Sequence, residues 1–285
     1  MTIFDNLKDF NKRVVAIDDD SKVYKYEDLL YRSSLINDLV SPRDNVFLIC
    51  ENSFSFLCVY TGLVKNRNII YLLDRSLSKE KFDILKNFHK PKYIFFPKEF
   101  LNNIDNENYE SIDANYLVLK TEFNKTFNFQ KDISILLSTS GSTGSPKFVK
   151  LSFENIKDNT KKISDYLNIK KKDRSITTME CNYSYGMSII NTHLYCGSSI
   201  VLTKKNFFQK DFWILMNNMK VTNFGGVPFA FEILDKINFY EKKLPYLKTV
   251  TQAGGKLKDE ILLKFVKFFK KKKIKFYSMY GQTEA

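Results

Sequence analysis

Long apolar runs are missing from this 285-residue chain, and none approaches the roughly 18–20 apolar residues that a membrane-spanning helix needs. Met1 to Asp9 lacks the apolar core of a secretory leader, so no targeting segment is expected there. Histidine is nearly absent, with only His89 and His193, and Cys50, Cys58, Cys181 and Cys196 show no C-x-x-C spacing. That scarcity argues against a structural zinc site and reads as reduced core thiols of a cytoplasmic protein. Arginine is scarce as well: of 45 basic residues, only those at 13, 32, 43, 67, 75 and 174 are arginine. The net charge of +13 invites a nucleic-acid partner, yet proteins that read bases and phosphates rely on arginine's bidentate geometry. The charge is therefore read as a solvated lysine-rich surface, with no nucleic acid as partner. Internal repeats and Pro/Gly/Ser-rich linkers are also absent.

What the chain does have is apolar bulk. Hydrophobic residues make up 44% of it, including 26 Phe and 16 Tyr, far more than a disordered chain carries. The length suits one large or two modest domains. Asn45 to Cys50, Asn68 to Leu73 and Lys92 to Phe96 are short apolar runs, separated by helical stretches at Phe54 to Val64 and Lys79 to Phe88. Asp132 to Ser138 and Lys147 to Leu151 read as further strands, and Ser152 as the N-cap of a helix bearing Ile156, Ile163 and Leu167 on one face. Later strands are expected at Ser199 to Thr203, Thr222 to Phe224 and Ile274 to Tyr280. Leu257, Ile261 and Phe265 form a helical stripe that ends in Lys270 to Lys273, where cations suit the helix dipole. Near-continuous apolar strands alternating with amphipathic helices predict an α/β fold with a mostly parallel sheet covered on both faces.

The segment from Ser138 to Lys147 is the most informative. Its glycines allow close backbone approach, its N–H groups and hydroxyls can cradle an anion, and Lys147 supplies a positive charge. A Walker A loop is excluded because Ser145-Pro146 separates Gly144 from Lys147 and Phe148 follows. The pattern points to a polyphosphate.

With this loop, the chain resembles the acyl-adenylate-forming superfamily of acyl-CoA synthetases, aryl-CoA ligases, luciferases and peptide-synthetase adenylation domains. Tyr280-Gly281-Gln282-Thr283-Glu284 matches that family's Y-G-x-T-E signature. Thr251 to Leu257 resembles its segment of small residues beside adenine and the acyl group, and Gly226-Val227-Pro228 its preceding turn. Tyr183-Ser184-Tyr185-Gly186 stands where the aromatic acyl-tunnel motif belongs, and Val23 to Leu29 resembles an early T-Y-x-E-L segment. Two departures are visible. Tyr183 replaces a common histidine, and Glu180-Cys181 replaces a common Leu-Pro. His193, ten residues on, is read as structural.

The resemblance implies activation of a small carboxylic acid by MgATP to an acyl-adenylate and pyrophosphate, then transfer to the thiol of CoA or of a carrier protein's phosphopantetheine. ATP would be held by Thr139, Ser140, Gly141, Ser142, Thr143, Gly144 and Lys147, with Ala253, Gly254, Gly255, Tyr280 and Gly281 around adenine. Lys147, Thr283 and Glu284 would be catalytic: Thr283 would bond the α-phosphate and Glu284 would ligate Mg²⁺. Tyr183, Tyr185 and Gly186 would line the acyl pocket. The implied fold is the N-terminal core of these enzymes, an AMP-binding domain over residues 1–285 with two mostly parallel, helix-flanked sheet subdomains. Their approximate extents are 46–170, and 1–45 plus 171–285. The family's mobile lid and the end of that core would follow Glu284, so the chain alone is expected to be weak or inactive. The alternatives are a non-catalytic nucleotide- or acyl-binding remnant, or one half of a split ligase whose lid sits on a separate chain.

Overall fold

The computed structural model describes residues 2–105, 108–123, 129–138 and 147–284. Fourteen strands are present among them: β1 (Val14–Ile17), β2 (Val23–Lys25), β3 (Asn45–Ile49), β4 (Ile69–Leu73), β5 (Tyr93–Pro97), β6 (Tyr109–Ser111), β7 (Tyr116–Lys120), β8 (Ile133–Ser138), β9 (Phe148–Ser152), β10 (Arg174–Ile176), β11 (Ser199–Val201), β12 (Asn223–Gly226), β13 (Thr249–Gln252) and β14 (Lys275–Ser278). The helices are α1 (Tyr26–Leu39), α2 (Phe54–Lys65), α3 (Lys79–His89), α4 (Phe153–Leu167), α5 (Ser184–Tyr195), α6 (Lys210–Asn218), α7 (Pro228–Lys236) and α8 (Asp259–Lys272).

Two seven-stranded sheets result. Sheet A has the order β14-β13-β12-β10-β11-β1-β2, and sheet B the order β6-β7-β5-β3-β4-β8-β9. Sheet A is parallel except where β2 returns against β1. Sheet B is parallel at its centre, β5-β3-β4-β8, and antiparallel at both edges, where β7, β6 and β9 fold back. Both sheets are thus mixed, with parallel centres.

The local signals explain many of the elements. Every residue of β3, β4 and β5 is buried, as expected of strands covered on both faces. Ser152 caps α4 by accepting from Asn155 N–H at 3.0 Å, and Asn155 Oδ1 accepts from Ser152 N–H in return. Ser53 caps α2 in the same way, accepting from Phe56 N–H. Helices α1, α2 and α5 lie between the sheets, where Leu29, Leu57 and Leu194 share one core with Val46 and Leu48 of sheet B and Val15 and Ile200 of sheet A. Phe82 and Leu85 of α3 cover the outer face of sheet B, and Phe231, Phe265 and Phe269 of α7 and α8 cover that of sheet A. All four cysteines are free thiols, three of them buried.

The carboxyl ends of the two sets of parallel strands meet, joined by charge. Beyond β3, the buried Glu51 pairs with Lys204 beyond β11 at 2.7 Å, and Lys204 also reaches Glu99. Beyond β4, Arg75 pairs with Glu180 at 2.8 Å, and Asn182 donates to Asp74. Crevices outside the carboxyl ends of open parallel sheets are where α/β folds commonly bind ligands.

Candidate active site

Three segments far apart in sequence converge at the carboxyl end of sheet A. Strand β13 runs into Ala253, Gly254 and Gly255, and both glycines have positive φ, 85° and 153°. Gly254 needs to be glycine for space as well: a Cβ there would stand 2.3 Å from the Tyr183 hydroxyl. Gln252, fully buried, holds this turn in place. Its Nε2 donates to Gly255 O at 2.9 Å, its Oε1 accepts from Ser278 Oγ at 2.9 Å, and its carbonyl accepts from Met279 N–H at 2.7 Å. The second segment is the start of α5, where Tyr183 occupies the N-cap position. The third follows β14, where Thr283 Oγ1 donates to Ser184 Oγ at 3.3 Å.

The expected site residues fare differently. Ala253, Gly254 and Gly255 border the convergence, and Thr283 is tied to it. Tyr280 is 90% exposed and Gly281 has no atom within 4 Å of where a Cβ would stand, so both present open surface to a ligand. Glu284 is exposed, as is Lys147 at the approach to β9. Thr139, Ser140, Gly141, Ser142, Thr143 and Gly144 lie outside the described residues. Of the acyl-pocket residues, Tyr185 lines a cavity, whereas Tyr183 packs on Gly254 and does not line it. Gly186 serves packing: a Cβ there would stand 2.2 Å from the Glu180 carbonyl oxygen, so its bare Cα lets α5 start against that turn.

The cavity is small, about 20 Å³, room for about one water, and lies beneath the convergence between α4, α5 and one face of sheet A. Cross-strand register places Ser175, Asn223 and Thr249 in one row, and Gly225 and Thr251 in the next. From α5, Tyr185, Ser188, Ile189 and Thr192 face it at helical spacing, while Ile163 and Leu167 of α4 supply the apolar wall. Tyr185 Oη and Thr251 Oγ1 are 2.5 Å apart, and burial pushes the Tyr185 phenol up. Ser175, Ser188, Thr192 and Asn223 carried no role in the motifs. The signal available was the alternation of Thr249-Val250-Thr251, which marks a strand with one polar face.

His193 closes the inner end. Its Nδ1 lies 2.8 Å from the Ile189 carbonyl, which can only accept, and its Nε2 lies 3.2 Å from Asn223 Nδ2, which can only donate. Nδ1 therefore carries the hydrogen. Burial pushes the imidazole pKa down to about 4, so the ring is neutral and structural. Nearer the mouth, burial pushes Glu180 up to about 6 against the attraction of Arg75. Burial also works against the Lys204 ammonium, but hydrogen bonds to Glu51 and Glu99 outweigh it and hold its pKa above the usual lysine value.

The model of the AMP-binding enzyme family matches residues 8–285. The chain belongs to this family. The 2-succinylbenzoate–CoA ligase of Haemophilus influenzae is 23% identical over 249 residues, covering 86% of this chain and 49% of that protein. The D-alanine–D-alanyl carrier protein ligase of Bacillus mycoides is 26% identical over 155 residues, covering 53% of this chain and 30% of the ligase. The chain thus spans about half the length of the first relative and less of the second. Among solved structures, the inhibitor-bound N-terminal domain of FACL13 from Mycobacterium tuberculosis superposes with a TM-score of 0.80 at 15% identity. That match covers 99% of this chain and 76% of the other, a likeness of fold. No helix among the described residues is long and apolar enough to cross a membrane.

No group of three or more His, Cys, Asp or Glu among the described residues could hold a metal by itself. A single exposed carboxylate such as Glu284 still suits Mg²⁺, which commonly takes one or two carboxylates together with substrate phosphates and water.

Proposed function

We propose that this chain holds the MgATP- and acid-binding residues of an enzyme that joins the two as an acyl-adenylate, for later transfer to a thiol of CoA or of a carrier protein. The observation that carries the reading is the meeting of the Gly254 turn, the Tyr183–Tyr185 segment and Thr283 above one cavity. In this reading adenine lies between Tyr280 and the Ala253–Gly255 turn, where bare glycine leaves room for a flat ring. The acid lies against the Tyr183–Tyr185 segment, with its carboxylate towards the α-phosphate. Its oxygen attacks the α-phosphorus, the bond to the bridging oxygen breaks, and pyrophosphate leaves. Thr283 donates a hydrogen bond to the α-phosphate. Lys147, with Thr139 to Gly144, holds the β- and γ-phosphates. Glu284 would hold Mg²⁺, which supplies charge neutralisation on the phosphates. A carboxylate is a weak nucleophile, so positioning and electrostatics supply most of the acceleration.

The test is calorimetric titration of the chain with a non-hydrolysable ATP analogue and Mg²⁺. Lys147→Ala is expected to weaken binding about tenfold, the loss of one charge-assisted phosphate contact. Unchanged affinity in that variant overturns the phosphate assignment.

A further inference from the structure

The two ends of sheet A differ in charge. At the carboxyl end cations are matched, Lys204 by Glu51 and Glu99, and Arg75 by Glu180. At the amino end of the neighbouring strands β14-β13-β12-β10 they are not. The connections there are tied side by side: Lys275 N–H donates to Lys248 O, Lys248 N–H to Thr222 O and Thr222 N–H to Arg174 O, each at 2.8 Å. They carry Lys170 to Lys172 before β10, Lys220 before β12, Lys248 before β13 and Lys270 to Lys273 before β14. Lys275 opens β14, and every one of these lysines is exposed. A strand spacing of about 4.8 Å brings the four connections within about 15 Å of one another. Among the described residues, only Lys248 of this set makes an ion pair, with the buried Asp173 at 3.9 Å. Asp165 and Glu241, exposed acids at this end, are outnumbered.

We infer that this end of sheet A docks on the surface of an anionic lipid bilayer, an inference independent of the acyl-adenylate reading. Three observations support it. The first is that the charge exceeds what the helices call for. Helix dipoles favour cations in a last turn, as Lys236 of α7 and Lys270 to Lys272 of α8 supply. Lys170 to Lys172, Lys248 and Lys275 stand in connections and at a strand start, beyond the last turn of any helix. A cluster of about four to eight lysines beside a bilayer is attracted by its anionic headgroups.

The second is the kind of cation. Arg13 and Arg174, the arginines at this end, are used within the fold. Arg13 Nε donates to Gly197 O at 3.1 Å and Arg174 Nε to Ser199 Oγ at 2.9 Å, and their guanidinium nitrogens also reach the Lys171 and Met219 carbonyls. What remains exposed is lysine, a point charge without the fork that grips a phosphate or base edge bidentately. That suits a diffuse anionic surface better than a nucleic acid. The third is apolar surface among the charges. Tyr166 at the end of α4 and Tyr246 before β13 are 61% and 41% exposed, and the Lys220 ammonium lies 5.8 Å from the Tyr246 ring centre. Tyrosine is favoured at headgroup level, its ring in the apolar layer and its hydroxyl in water. Beside them Trp213, Ile214, Ile237 and Leu244 line an open apolar groove of about 380 Å³, which Lys242 and Lys243 border. Mixed lysine, aromatic and apolar surface is what a bilayer interface accepts. Docked this way, the chain turns the Gly254 turn and Tyr280, at the carboxyl end, towards water.

The test is co-sedimentation of the 285-residue chain with phosphatidylcholine vesicles, with and without about one-third phosphatidylglycerol, at about 0.1 M salt. Binding is expected to the anionic vesicles alone, and it should weaken at least about tenfold at about 0.5 M salt. Replacing Lys270, Lys271, Lys272 and Lys273 together by Gln should weaken it at least about thirtyfold. Lys81→Gln, Lys98→Gln, Lys120→Gln and Lys150→Gln together remove the same charge from exposed positions around sheet B, and should change binding less than about threefold. Equal losses in the two fourfold variants would reduce the effect to net charge and overturn the inference. Equal binding to neutral vesicles, or binding to neither kind, overturns it as well. Tighter binding to a DNA duplex than to the anionic vesicles, compared per accessible anionic group at the same salt, overturns it in favour of a nucleic acid. None of these outcomes bears on the acyl-adenylate reading, which the ATP-analogue titration tests separately.

Discussion

The two faces of sheet A are built from the same strands and have opposite chemistry. Outward, Ile176, Phe224 and Val250 meet Phe231, Phe265 and Phe269 in an aromatic-rich core. Inward, Ser175, Asn223, Thr249 and Thr251 meet Tyr185, Ser188 and Thr192 across a cavity. Burying apolar area stabilises by roughly 25 cal/mol per Å². A buried hydrogen bond nets only about 0.5–1.5 kcal/mol. The outward face should therefore carry most of the stability.

The largest effect expected from this division is on the outward face. Phe269 is almost fully buried, with its ring 5.6 Å from Phe265 and 5.1 Å from Phe276. Phe269→Ala should cost about 3–5 kcal/mol in urea denaturation. Ser175→Ala on the inward face should cost about 1 kcal/mol or less. Comparable losses at the two positions would erase the distinction.

Acid should act next, and through the inward face. The His193 imidazole titrates near 6.5 when unfolded and near 4 when folded, so the unfolded chain takes up the proton first as pH falls. Its contribution is fully present above pH 6.5 and is lost as the pH falls through about 4, a change of about 3 kcal/mol. Glu180 acts in the opposite sense. Its pKa rises from 4.5 to about 6 on folding, so its contribution is present below about pH 4.5 and lost as pH rises through 6. Urea midpoints measured from pH 4 to 7.5 should fall towards acid in the parent chain. In His193→Gln that slope should flatten or reverse; an unchanged slope would remove His193 from the account.

The same two faces explain what could be read from the residues alone. Strands β3, β4 and β5 were legible because burial on both faces makes them uniformly apolar, and the Ser152 cap because its partner is three residues away. The antiparallel edges of sheet B were not, since β7 pairs with β5 through contacts that no local pattern specifies. The strand expected over Ile274 to Tyr280 ends at Ser278; Met279 makes one more bond to Gln252, and Tyr280 stands free of the sheet. By resemblance, the motifs singled out residues of segments that the structure brings together. The cavity below was hidden, because its hydroxyls come from β10, β12, β13 and α5 and each alone reads as an ordinary Ser or Thr. Gly186 shows the converse: its place in the motif suggested a pocket wall, and the packing explains it as space for the Glu180 carbonyl.

The smallest effect separates buried hydroxyls that pair with each other from hydroxyls that water serves one by one. Tyr185 and Thr251 are both buried and their hydroxyls are 2.5 Å apart. Tyr185→Phe leaves Thr251 without its partner, and Thr251→Val does the same to Tyr185, so each should cost about 1–2 kcal/mol. The double variant removes both ends of the bond and should cost about 1 kcal/mol less than the sum of the two. That coupling would mean the two hydroxyls satisfy one another. Strict additivity would mean that each is served separately by water in the cavity. The inward face would then owe its polarity to hydration rather than to a preformed network.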